Sequence, residues 1–253
     1  MNGLTIKNRS TMETQRQTST DLEQEIRALT SSGKQNYSNN KAVRYEYMPY
    51  SMDIALDVVR RIGISIEPNF KLTDKIKKTY IKLIQWFHGD TAFESTSGYL
   101  NKGILLVGNT GSGKTLAMQI MARYRDIDNI IFAHNDRRFK LAYDVVDVNT
   151  ICRSFSERSY EGISRYCFHA VLCIDDLGYE VGVNKFYGNT TDVLSYIIGE
   201  RYRLNKLTMA TSNLPIENLA EKYDDRTASR IYGLFNCIEM IGGDFRKTDI
   251  AGK

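Results

Sequence analysis

Long apolar runs are missing from this 253-residue chain. None approaches the ~20 residues of a helical membrane span, so no membrane association is expected. Met1 to Arg16 holds no apolar segment of the kind a secretory signal needs, which points to a cytoplasmic protein. Cysteines are few and scattered: Cys152, Cys167, Cys173 and Cys237 include no C-x-x-C pair. That argues against a zinc site or a disulfide framework and for buried thiols in a reducing compartment. Neither sign of charge dominates. With 34 basic and 30 acidic side chains the net charge is +4, which permits a nucleic-acid partner without indicating one. There is no internal repeat. The only tryptophan, Trp86, reads as a core anchor.

What is present divides the chain into three parts. Residues 1–40 are rich in Ser, Thr, Asn and Gln and read as a mobile polar tail, with one short helix over Thr20 to Leu29. Residues 41–100 read as a helical N-terminal region. Ile54, Val58 and Ile62 suggest one helix; Ile76, Tyr80, Ile81 and Ile84 suggest a second, starting near Thr73 and stopping at Gly89. Residues 101–253 alternate apolar runs with helical patterns. Strands are expected at Gly103–Val107, near Phe139–Val146, at Ala170–Ile174, at Leu207–Thr211 and near Cys237–Ile241, with a helix over Asp192–Leu204. Strands alternating with helices predict an α/β fold with a parallel five-stranded sheet flanked by helices.

The stretch Gly108-Asn109-Thr110-Gly111-Ser112-Gly113-Lys114-Thr115 fits G-x-x-x-x-G-K-[ST] at every fixed position. The glycines let successive backbone N–H groups turn toward phosphate oxygens. Lys114 is expected to reach the β- and γ-phosphates, and the Thr115 hydroxyl to hold Mg²⁺. Its setting between an apolar strand and a helical pattern (Leu116, Ile120, Tyr124) is the setting this motif requires. ATP and Mg²⁺ are therefore the expected cofactors.

Other residues complete the picture. Asp175 ends an apolar strand, where a parallel sheet delivers a metal-binding carboxylate. Asp176 is expected to point elsewhere, because side chains alternate along an extended segment, and to serve as a general base toward water. Asn213 follows the fourth strand and either senses the terminal phosphate or makes a turn before Pro215. Arg226 and Arg230, four apart, share one helical face. They either reach a phosphate held by a neighbouring subunit or are an exposed pair neutralised by Asp224 and Asp225. Arg246 is a third candidate for nucleotide contact. Arg153, Arg158 and Arg165 interleave with Phe155, Tyr160 and Tyr166, as single-stranded DNA binding by phosphate pairing and base stacking would want; the alternative is an amphipathic helix with solvated arginines.

Together these segments resemble the AAA+ ATPases of the DnaC/IstB group, bacterial helicase loaders and transposition helper ATPases. The matching pieces are Lys102 to Thr115, Ile174-Asp175-Asp176-Leu177-Gly178-Tyr179-Glu180, Glu200-Arg201-Tyr202, Thr211-Ser212-Asn213-Leu214 and Arg226 to Arg230, spread over about residues 100 to 250. The resemblance implies a P-loop NTPase fold of the ASCE type over 101–253, with a short or absent lid. It implies Walker A at Gly108–Thr115, Walker B at Asp175 and Asp176, sensor 1 at Asn213, an arginine finger at Arg230 or Arg226, and a sensor 2 position at Arg246. Where the group often has Glu after the Walker B Asp, this chain has Asp176, one methylene shorter.

The function this implies is a Mg²⁺-dependent ATPase that self-assembles with ATP at subunit interfaces, binds DNA, and loads a replicative helicase. A transposition helper that recruits a transposase uses the same core. A P-loop kinase for a small molecule and a nucleotide-gated binding protein with little hydrolysis are the readings from other classes.

Overall fold

The computed structural model describes residues 44–45, 47–96, 98–128, 131–134, 137–180, 184–186 and 189–242. The polar tail expected over 1–40 and the candidate Arg246 lie outside the described residues.

The strand over Gly103–Val107 (β2, after a two-residue β1 at Arg44–Tyr45) has all five residues buried. It lies inside a parallel sheet with β5 (Val145–Asp147), β6 (Val171–Asp175), β9 (Leu207–Ser212) and β10 (Phe235–Glu239), in the order β10-β2-β9-β6-β5. Every pairing is parallel. Side chains alternate along each strand, so each strand feeds two cores. Ile104, Leu106, Cys173 and Met209 enter one core, with helices α1 (Met52–Ile66), α2 (Asp74–Phe87) and α3 (Lys114–Asp128). Leu105, Val107, Leu172, Ile174 and Ala210 enter the other, with α4 (Val148–Phe168), α5 (Val193–Arg203), α6 (Ile216–Lys222) and α7 (Asp225–Leu234).

The helical N-terminal region shares the first core. Trp86 is wholly buried and donates from Nε1 to the Lys102 carbonyl at 2.9 Å. Asn236, on β10, accepts from the Tyr99 backbone N–H and donates to the carbonyls of Tyr99, Lys102 and Gly103. Helix α2 begins after Thr73 and ends before Gly89 (φ 63), as expected. In α1 the buried face is Ala55, Leu56, Val59 and Ile62, whereas Ile54 is 68% exposed. Ile62 is buried and Val58 packs against the core as expected, and only Ile54 turns outward, where Ala55 and Leu56 supply the stripe instead.

Three further differences have physical causes. The second sheet strand is only Val145–Asp147, since the residues before it form an antiparallel hairpin of β3 (Ile131–His134) and β4 (Arg137–Lys140), joined by β1. A second hairpin, β7 (Asn184–Phe186) with β8 (Asn189–Thr191), follows the third sheet strand. Cys237 is exposed, unlike the other three cysteines, because it alternates outward on the edge strand β10.

Arg201 lies on the buried face of α5 with no exposed surface, held by four acceptors. Its Nη1 donates to the carbonyls of Tyr166 (2.8 Å) and His169 (3.0 Å), Nε to Thr208 Oγ1 (2.8 Å), and Nη2 to the Leu207 carbonyl. Burial pulls the guanidinium down to about 9, which leaves it charged at neutral pH. Arg201→Leu should keep the packing volume yet strand two buried carbonyls and a part-buried one. The expected loss is about 3 kcal/mol of unfolding free energy, read from a shifted urea midpoint.

Candidate functional site

The sheet order places β9 between β2 and β6, so the carboxyl ends of three strands deliver residues 108–115, 175–176 and 212–213 to one place. This is where an open parallel α/β sheet forms its ligand crevice. The loop after β2 turns through Gly111 (φ 80) and Gly113 (φ 91), and α3 starts at Lys114. At Gly108 a Cβ would stand 2.6 Å from the Met240 carbonyl, so only glycine lets the loop leave the sheet there.

Lys114 is buried. Its Nζ donates to the carbonyls of Gly108 (2.8 Å) and Asn109 (2.9 Å) and to Asn213 Oδ1 (2.8 Å). Asn213 in turn donates from Nδ2 to Asp176 Oδ1 at 3.0 Å. The Thr115 hydroxyl donates to the Asp175 carboxylate at 2.9 and 3.0 Å. A residue passed over as a candidate completes this set. Thr211 donates from Oγ1 to Asp175 Oδ1 (2.6 Å) while accepting from the Asp176 N–H (3.0 Å), so one hydroxyl ties the Asp175 carboxylate to the backbone of the next residue. Its only sequence signal was its place at the head of Thr211-Ser212-Asn213-Leu214.

Asp175 and Asp176 do diverge, though not by strand alternation. Asp176 has φ 57, a left-handed residue beyond the end of β6. Burial first, and then the adjacent Asp175 charge, raise its carboxyl above the ordinary value, with Lys114 acting in the opposite sense. Behind the pair, Glu180 is clasped. It accepts from Tyr223 Oη (2.9 Å) and the Gly178 N–H (3.1 Å), and Lys222 lies 3.2 Å from its carboxylate while donating to the Gly178 carbonyl. The turn after β6 is thus tied to α6.

A cavity of about 730 Å³ opens over the loop, bounded by Gly111, Lys114, Thr115, Asp176 and Asn213 on one part and by Phe70 and Tyr80 of the N-terminal region on another. Its volume falls in the range of cofactor sites. The donor set fits Mg·ATP: loop glycines, a buried cation, and a hydroxyl beside one carboxylate. Magnesium keeps several waters and needs few protein ligands, so Thr115 and Asp175 suffice.

The remaining candidates lie elsewhere. Arg226 is exposed and Arg230 half-buried on α7, and neither lines this cavity. Asp224 lies close enough to Arg230 to feel its charge, but its main contact is elsewhere. Its carboxylate caps α7 by accepting from the Thr227 N–H at 2.7 Å, and that bond holds its pKa down. Arg230 Nη1 instead lies over Gly199 of α5, where a Cβ would come within 2.5 Å of it. Arg153, Arg158 and Arg165 are all exposed on α4, which breaks at Arg158 and Ser159 (φ 55). The aromatic half of that candidate surface is corrected: Phe155 and Tyr166 are core residues, and only Tyr160, 49% exposed, offers an open ring. Arg165 covers the Tyr166 ring at 4.6 Å and donates to its hydroxyl.

No family model matches the chain, and no curated protein matches it. Among solved structures it is similar to DnaI, at 25% identity and a TM-score of 0.50, over 73% of this chain and 92% of that one. It is also similar to the DnaC helicase loader, at 20% identity and a TM-score of 0.51, over 70% of this chain and 96% of that one. The chain has the AAA+ fold. In architecture as in motifs, the chain resembles AAA+ proteins of the DnaC/IstB type. No helix among the described residues is long and apolar enough to cross a membrane.

The two carboxylates should respond oppositely to substitution. Asp176→Asn removes a half-buried charge beside another and should raise the melting temperature of the ligand-free protein at pH 7. Asp175→Ala orphans the Thr115 and Thr211 hydroxyls and should lower it by several degrees, as a loss of about 1–2 kcal/mol would. Differential scanning calorimetry reads both.

Proposed function

We propose that this AAA+ protein is an ATPase that binds Mg·ATP on the 108–115 loop and works on DNA as a loader of a replicative helicase. The observation that carries the nucleotide reading is the buried Lys114 ammonium, held among loop carbonyls and Asn213 at the mouth of a cavity of nucleotide size. Gly108 to Thr115 supply the backbone cradle for the phosphates, and Thr115 with Asp175 hold the metal. Bound Mg²⁺ supplies countercharge to the β- and γ-phosphates. Asp176, whose carboxyl is raised and which faces Asn213, accepts a proton from water that Asn213 orients.

Arg230, absent from its own cavity and seated on Gly199, is the preferred finger toward a neighbouring copy, with Arg226 on the same helix as second choice. Exposed Tyr202, packed on Gly233 of that helix, supports a homo-oligomer with ATP between subunits. The loader role rests on the group-specific pieces around Asp175–Glu180 and Thr211–Leu214, and on the likeness to the DnaC helicase loader. Helicase is therefore preferred to transposase as the partner. Among the N-terminal residues, 41–100 supply part of the cavity wall, and 101–253 carry the catalytic set.

Two experiments test this. Lys114→Ala should abolish ATP binding in a nucleotide titration. Arg230→Ala should bind ATP normally yet hydrolyse it roughly 10³-fold more slowly. Mixing the two variants should restore turnover, because each supplies what the other lacks. A lone subunit that turns over ATP regardless of Arg226 and Arg230 would sink the interfacial mechanism.

For DNA, three phosphate contacts by Arg153, Arg158 and Arg165 give an expected log–log salt slope of about −2 on single strands. Changing all three to Ala should flatten that slope toward zero in fluorescence-anisotropy titrations. A slope indifferent to the change would exclude this surface.

A further inference from the structure

The outer face of α2 carries charge of one sign. Lys75, Lys78 and Lys82 fall at i, i+3 and i+7, so they share one side of the helix, and Lys77 flanks them. All four are exposed. The helix holds a single acid, Asp74, which leaves an excess of three positive charges where the whole chain has four. No carboxylate among the described residues forms an ion pair with any of these lysines. Several cations elsewhere do have partners. Asp57 on α1 takes both Arg60 and Arg61 at 2.7 Å, Lys222 meets Glu180, and Lys102 donates to the Tyr232 carbonyl.

The row is presented on a fixed rod. The opposite face of α2 buries Ile76, Tyr80, Leu83 and Ile84 in the core, and Thr79 donates to the Glu239 carbonyl at the end of β10. That burial excludes one class of partner. A basic amphipathic helix that lies on a membrane needs its apolar face free, and here that face is spent. Protein partners are disfavoured as well, because interfaces rely on apolar and aromatic anchors and are depleted in Lys. α2 exposes no large hydrophobic side chain. The same lack of an open ring removes the stacking platform that single strands use. What remains is attraction to a dense, regular array of negative charge. Lys75 to Lys82 spans about 10 Å of helix axis, and duplex DNA carries one charge per about 1.7 Å.

We propose that the Lys75, Lys78 and Lys82 row of α2 grips the phosphate backbone of duplex DNA, without reading sequence. Lysine suits this task, since a compact point charge on a flexible stem tolerates any phosphate geometry. The surface is separate from the 108–115 loop and from the α4 arginines.

The test is a salt titration of the full-length chain, by fluorescence anisotropy, on a labelled duplex and on one of its single strands. Three neutralised phosphates contribute about −2.7 to the log–log slope on duplex DNA. Changing Lys75→Gln, Lys78→Gln and Lys82→Gln together keeps helix propensity and should flatten the duplex slope by that amount. The single-strand slope and the melting temperature should not move. Arginine at the same three positions should preserve the duplex slope, which separates charge from packing. The α4 arginine variant should leave the duplex slope in place, so either surface can fail without the other. A duplex slope unmoved by the glutamines overturns the proposal, as does loss of slope with arginine. Equal flattening on both DNA forms overturns the duplex assignment. Displacement of the duplex by polyglutamate at matched charge overturns it in favour of an acidic peptide.

Discussion

A buried ammonium must be solvated by something other than water, and in this protein the surroundings of Lys114 are arranged to do it. Two loop carbonyls and Asn213 surround Nζ, and Asn213 is available only because β9 runs between β2 and β6. The same strand order brings Thr211 to the Asp175 carboxylate and the Asp176 N–H. The geometry of the site is therefore a property of the sheet topology. Moving β9 to an edge would leave the ammonium and the acidic pair without their bridge.

The helical N-terminal region belongs to this arrangement. Trp86 and Asn236 stitch the segment before β2 to the sheet, and Thr79 fixes α2 to the end of β10. These part-buried bonds come from side chains that are themselves buried, and each fixes one arrangement of the packed elements. They make the residues around Phe70 and Tyr80 a fixed wall of the cavity.

Much of this was legible in the sequence where one physical signal dominated. The runs at β2, β6 and β9 are buried on both faces, so their apolar character alone located them. The motif from Gly108 to Thr115 needs its residue types for backbone geometry, which makes it readable without a structure. Signals failed where two elements compete for a short stretch. The hairpin of β3 and β4 occupies residues that periodicity merged with the second sheet strand. Phe155 and Tyr166 looked like partners for bases because sequence spacing does not reveal a break such as the one at Arg158 and Ser159. Thr211 was hidden inside an apolar strand, where a hydroxyl reads as an ordinary β-branched residue. Asp176 diverges from Asp175 as expected, but through a left-handed backbone that no alternation rule supplies.

The staple made by Arg201 also bears on where Arg230 sits. It fastens α5 to the amino-terminal edge of the sheet, while Gly199, two residues earlier on the same helix, forms the seat of Arg230. The Arg230 guanidinium is thus registered, through α5, to the strand scaffold and not to a free loop. Its position is inherited from β9, the strand that ends beside the amide of Asn213.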